Sequence, residues 1–154
     1  MAIIILILGA GFLLAMNATA GESDTKVTTP VTGSGGPLST FANAIGLAEG
    51  FFVSGSRPQR NNNPGDLISG VPPASNYTTN SDGTYAIFDN VSDGWQALED
   101  QLDAIRRGSS NYYSTTMTFN QMAQSYSPSG WQAWAKNVSS ALGAAPTEQI
   151  GAYL

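Results

Sequence analysis

Glu49 is the residue whose neighbours best suit it to chemistry. It ends a mostly apolar stretch, 41–48, and is followed by Gly50, Phe51 and Phe52 before a polar loop begins. A carboxyl group partly withdrawn from water has its charged form disfavoured, so its pKa rises. Such a group holds a proton near neutral pH and can hand it to a leaving oxygen, as the general acid of glycoside cleavage does. Next to it in the chain stands Arg60-Asn61-Asn62-Asn63-Pro64-Gly65-Asp66. Three consecutive amides at a rigid turn supply donors and acceptors for sugar hydroxyls or acetamido groups, or they cap neighbouring backbone. Asp66 can pair with Arg60 or Arg57, or orient a water. Tyr77, Tyr85, Tyr112, Tyr113, Tyr126, Trp131 and Trp134 add aromatic faces that can stack on sugar rings, although most rings in a small domain are core. Trp95 and Trp134 read as core. Tyr126, just before the break at Pro128, reads as the ring best placed for an exposed site.

Several elements must position these groups. Ser39 or Thr40 is expected to cap a helix through Phe41, Ala44, Ile45 and Ala48, with Leu38 stapling its entrance and Gly50 stopping it. Asn63-Pro64-Gly65-Asp66 fits a type II turn, Gly65 supplying positive φ. Asn80-Ser81-Asp82-Gly83 is a second turn signal, and the β-prone 85–88 segment after it predicts a short irregular hairpin between Leu67 and Phe88. The spacing of Trp95, Leu98, Leu102 and Ile105 predicts a helix over 93–107, capped by Ser92 and stopped by Gly108. Thr118 is expected to cap a shorter helix with Phe119, Met122, Ala123 and Tyr126. Trp131, Trp134, Val138 and Leu142 mark another, and Thr147 a last turn carrying Ile150 and Leu154. The fold class is α+β, mostly helical.

Composition narrows the chemistry. The chain has 154 residues and neither Cys nor His, which excludes thiolate and imidazole zinc sites, Cys nucleophiles and a Ser-His-Asp triad. No metal or other cofactor is expected. Only 11% of residues are charged and the net charge is -5, so no basic stripe exists to meet a phosphate backbone and nucleic acid is not an expected partner. Residues 2–16 form one apolar run, which as a helix would reach roughly 22 Å, short of a ~30 Å hydrocarbon core. Extension through 17–20 supplies the missing length. Ala18-Thr19-Ala20 before Gly21 suits a cleaved secretory signal, whereas the lack of Lys or Arg near the start suits an uncleaved anchor. The layout is a membrane anchor or signal over 1–20, a Gly/Ser/Thr/Pro linker over 21–37, and a domain over 38–154.

The order of these pieces resembles the lysozyme-like superfamily, within it the glucosaminidase and lytic transglycosylase branches that cut bacterial peptidoglycan. The matching strings are Ala48-Glu49-Gly50, Asn62-Asn63-Pro64-Gly65-Asp66-Leu67, Phe88-Asp89-Asn90-Val91-Ser92-Asp93-Gly94-Trp95 and Ala123-Gln124-Ser125-Tyr126-Ser127, with Trp131 to Leu142 fitting the closing helix. The Arg-Asn-Asn-Asn-Pro-Gly string is also similar to one in phage virion proteins, some from membrane-containing phages. The resemblance implies catalysis by Glu49, with Tyr126 positioning substrate or stabilising the transition state. Asn62, Asn63, Asp66 and Tyr85 are the candidate substrate-binding residues. It implies peptidoglycan glycan strands as substrate, a domain outside the cytoplasm or in a virion, and virion assembly partners in the phage case. A non-catalytic virion or envelope protein that keeps the fold and grips glycan is the competing class. Two features depart from the family: Gly50-Phe51-Phe52 stands where a small or polar residue and Trp are common, and Asp66 where a neutral residue is. No second carboxylate is matched, so Asp66, Asp82 and Asp89 stay open.

Overall fold

The computed structural model describes residues 36–77 and 79–154, so the membrane segment expected over 1–20 and nearly all of the linker lie outside the described residues. Among the described residues no helix is long and apolar enough to cross a membrane. What they form is α+β: helices surrounding a core, interrupted by one two-stranded antiparallel sheet.

Helix α1 (Pro37–Ala48) begins earlier than expected. Gly36 is its N-cap and Pro37 takes the first position, where a missing N–H costs nothing. Ser39 and Thr40 are not caps; both hydroxyls donate back to the Gly36 carbonyl. The helix closes on Glu49, and Gly50, at φ 75°, turns the chain away. A single turn, α2 (Arg57–Arg60), follows, started by the Ser56 hydroxyl accepting from the Gln59 N–H. One turn is too short to leave a periodic signature, and none was legible in the sequence.

Strands β1 (Thr79–Ser81) and β2 (Ala86–Phe88) pair with Asn80 opposite Ile87. Asp82 closes the hairpin by accepting from the Thr84 and Tyr85 N–H groups, and Gly83 takes φ 100°. The longest helix, α3 (Val91–Arg106), is capped by Asn90 rather than Ser92: the Asn90 side chain accepts from the Asp93 N–H at 3.0 Å. Leu98, Leu102 and Ile105 are buried as their spacing predicts, while Trp95 sits half-buried against Phe51, ring centroids 5.3 Å apart.

Helix α4 (Phe119–Tyr126) carries the capping box that Thr118 promises, with Gln121 reaching back to the Thr118 N–H. Helix α5 (Trp131–Ala141) packs against it and against α1. The last turn, Ile150–Tyr153, is 3₁₀ and is not capped by Thr147; Gln149 precedes it and bridges to Thr118. Phe41, Ile45, Leu98, Leu102, Met122 and Val138 meet in the core formed by α1, α3, α4 and α5. Each such side chain contributes about 1.5–3 kcal/mol of burial, enough to hold the end of α1 rigidly in place.

Candidate active site

Glu49 is carried to the edge of this core by α1 and is only 5% exposed. Its Oε1 accepts a 2.7 Å hydrogen bond from Trp134 Nε1 on α5. Burial, reinforced by the negative charge of Asp66, pushes the carboxyl up to about 8, against the opposing pull of the Trp134 bond and the Arg57 charge. At neutral pH the group therefore keeps its proton and can act as an acid.

Asp66 is the second carboxyl here. Arg57 grips it with two bonds, Nε to Oδ1 at 3.0 Å and Nη2 to Oδ2, which settles the pairing in favour of Arg57 over Arg60. The same guanidinium lies 3.5 Å from the centre of the Tyr85 ring, a cation–π contact that fixes its plane. Burial raises the Asp66 pKa, while the bonds and charge of Arg57 oppose the rise.

The amide loop is held by its own side chains. Asn61 donates to Asp82 at 3.1 Å, and Asn62 to the Phe88 carbonyl at 3.0 Å. Asn63 is fully buried; its amide donates to the Leu67 and Ala86 carbonyls and accepts from the Leu67 N–H. No polar atom of Asn63 remains for a sugar, which corrects its assignment as a substrate-binding residue. The turn at 63–66 is also not type II. The Asp66 N–H bonds to the Asn63 carbonyl at 3.0 Å, but positive φ falls on Asn62 (50°) and Asp66 (49°), not on Gly65. Asn and Asp are the non-glycine residues that best tolerate that region. Gly65 is required for space instead: a Cβ there would lie 2.8 Å from Leu98 Cδ1 and 3.0 Å from the Tyr126 hydroxyl. Gly94 is tighter still, since its missing Cβ would stand 1.8 Å from the Asn62 carbonyl oxygen. The loop is thus seated directly on the first turn of α3.

Tyr126 is not a freely projecting ring. It stacks on Trp134 at 4.8 Å and 29°, and its hydroxyl donates to the Gly65 carbonyl at 2.6 Å. Burial and the neighbouring Glu49 hold the phenol well above its ordinary pKa, so it serves as a neutral donor. Tyr126 and Asp66 also line a cleft of about 300 Å³, together with Tyr112, Tyr113 and the 67–73 segment. Glu49 is not among its lining residues; it is linked to the cleft by its electrostatic influence on Tyr126 and that of Asp66 on it.

Compared with known proteins, the chain matches no family model, no curated protein and no solved structure.

Of the residues singled out by sequence, Glu49, Asp66, Tyr85 and Tyr126 belong to one connected cluster, and Asn62 borders it through the loop. Asp82 sits in the hairpin turn, exposed, and Asp89 is exposed just after β2, at the opposite end of the hairpin. Trp134 is the member of the cluster that sequence reasoning took for core, whereas Arg57 is one of the two bases it offered as partners for Asp66. Trp134 fits a helical apolar face so well that it reads as core, and its bond to Glu49 spans a chain separation that no local pattern encodes. Among the described residues no group of three His, Cys, Asp or Glu side chains could hold a metal ion.

Proposed function

We propose that the chain is a peptidoglycan glycosidase or lytic transglycosylase of lysozyme-like type, delivered to cell wall by the apolar segment 2–20, with Glu49 as its general acid. The observation that carries this reading is a single carboxyl held protonated at neutral pH, at the end of a rigid helix, beside a cleft that shares Asp66 and Tyr126 with it. Glu49 donates its proton to the glycosidic oxygen. Tyr126 and Asn62 position the glycan, and Arg57 holds Asp66 in place. Asp66 is committed to Arg57 by both oxygens. That leaves it poorly suited to activate water and favours a one-acid route in which a substrate hydroxyl bonds to the anomeric carbon as the C–O bond to the leaving group breaks, and returns its proton to the Glu49 carboxylate.

A second reading has an observation of its own. Glu49 is almost closed off from solvent and lies outside the cleft lining, as a site that grips glycan without cutting it would have it. In that case the protein is a structural component of a virion or envelope.

The deciding experiment compares the full chain with Glu49→Gln on purified peptidoglycan. The expected result is lysis by the first and a loss of about 10²–10⁴-fold in the second, the usual contribution of a general acid. Equal lysis by both removes Glu49 from the chemistry, and binding without lysis by either selects the structural reading. The mass of the released fragments separates the two routes, because internal displacement yields products one water lighter than hydrolysis.

A further inference from the structure

Three aromatic side chains meet at the surface where α1 ends and α3 begins. The Phe51 and Phe52 rings stand edge to face at 5.4 Å, and Trp95 lies 5.3 Å from the first and 6.2 Å from the second. All three are only half-buried. Trp95 rests on Gly46, where a Cβ would come 2.8 Å from the ring, and the next residue, Leu47, is 53% exposed. Val91, 41% exposed, stands one turn before Trp95 on the same side of α3. A contiguous apolar patch of this kind marks a surface that meets lipid or protein. Phe51 and Phe52 are also where the chain departs from the family it resembles, and cleavage of glycan gives them no task.

We infer that this patch is a membrane-docking surface: it lodges at the headgroup boundary of the bilayer that holds the segment 2–20. The inference rests on reading that segment as an uncleaved anchor. Tryptophan, with an apolar body and one N–H, settles at that boundary, and the Phe, Leu and Val side chains beside it enter the outer acyl layer. The tether brings the patch within reach. A Gly/Ser-type chain of the length of 21–35 spans roughly 21 Å on average. Helix α1 then carries the chain about 18 Å from Gly36 to the end where the patch lies, so the domain can lie back on the bilayer. Attachment through 2–20 makes docking intramolecular, so shallow insertion suffices. The five side chains fall well short of the roughly 20–30 residues a side of a stable protein interface, which disfavours a second copy as the occupant. None of the five is charged, and the acids that precede and begin α3, Asp89 and Asp93, favour a zwitterionic surface over an anionic one. Glu49 precedes Phe51 by two residues, about 7 Å of chain, so docking sets the height of the acid above the lipid.

The test uses the full chain in phosphatidylcholine vesicles isolated by flotation, with bromine on the acyl chains near the headgroups as a quencher of tryptophan emission. Brominated lipid should silence one of the three tryptophans, and Trp95→Phe should remove the whole quenched component. Val91→Asp suits the positive start of α3, so the helix keeps its stability, but it puts a charge into the patch. It should leave flotation intact and abolish most of the quenching. Raising the salt concentration should change neither, since no opposite charges are paired. Flotation without quenching overturns the docking surface and leaves the anchor reading intact, whereas failure to float overturns both. Quenching that survives Trp95→Phe or is unchanged in Val91→Asp overturns it as well. So does shielding of Trp95 from both lipid bromine and aqueous acrylamide, with energy transfer between labelled copies, which assigns the patch to a second copy of the chain. Loss of lysis in Glu49→Gln bears on the glycan-cleaving reading and not on the patch.

Discussion

The amide loop at 61–63 and the carboxyl end of α1 both bury polar side chains, and they bury them to opposite ends. Asn63 is closed from solvent with its carbonyl and amino group both bonded to backbone. Glu49 is nearly as buried, but it accepts from the Trp134 indole N–H, and its ionised form is strongly disfavoured. A buried polar group whose bonds are all satisfied belongs to the architecture. One whose burial outweighs its bonds keeps a proton at neutral pH, and that is the state an acid catalyst requires.

The comparison can be broken directly at Asn63. Asn63→Leu removes the only side-chain acceptor of the buried Leu67 N–H and two donors to β2 and the loop, and should cost about 3 kcal/mol. Chemical denaturation reads this directly; a loss below about 1 kcal/mol would mean that the loop is held by something other than its amides. Glu49→Gln should do the opposite, since a neutral amide can still accept from Trp134 and carries no charge to desolvate.

The next effect is in pH. Glu49 has a folded pKa of about 8 against an ordinary 4.5, so between these values the native state binds the proton that the unfolded chain releases. Stability must therefore fall as pH rises across that window, by up to about 1.4 kcal/mol per pH unit from this group, and level off above it. Melting curves from pH 5 to 9 should show that slope in the parent chain and lose it in Glu49→Gln. Activity dependent on the protonated acid should fall through the same upper limit.

The smallest effect sharpens the role of Trp134. Its bond stabilises the carboxylate, so Trp134→Phe, which keeps an aromatic ring against Tyr126, should move the alkaline limb of the activity profile to higher pH. An unmoved limb would reduce Trp134 to packing.

How much of this was legible in the sequence depended on whether the signal was local. Leu98, Leu102 and Ile105 recur at the helical period and are buried as expected. Caps were misplaced by a few residues because Gly36 and Asn90 compete with nearby Ser and Thr, and the winner is decided by where the chain enters. Gly65 looked like a turn glycine. Its real constraint, Leu98 and Tyr126 pressing from helices far along the chain, has no local trace. Glu49 was visible as a carboxyl in apolar company, whereas its donor Trp134 was hidden within a helical pattern that fully explains an indole without any polar role.

The 2.7 Å contact between Trp134 and Glu49 also equips the protein with its own indicator. An indole whose N–H points at a carboxyl changes its emission when that carboxyl ionises. Among the three tryptophans of the chain this is the one bonded to the acid. A fluorescence titration should thus record the ionisation of Glu49 optically, with a midpoint near about 8, before any substrate has been identified.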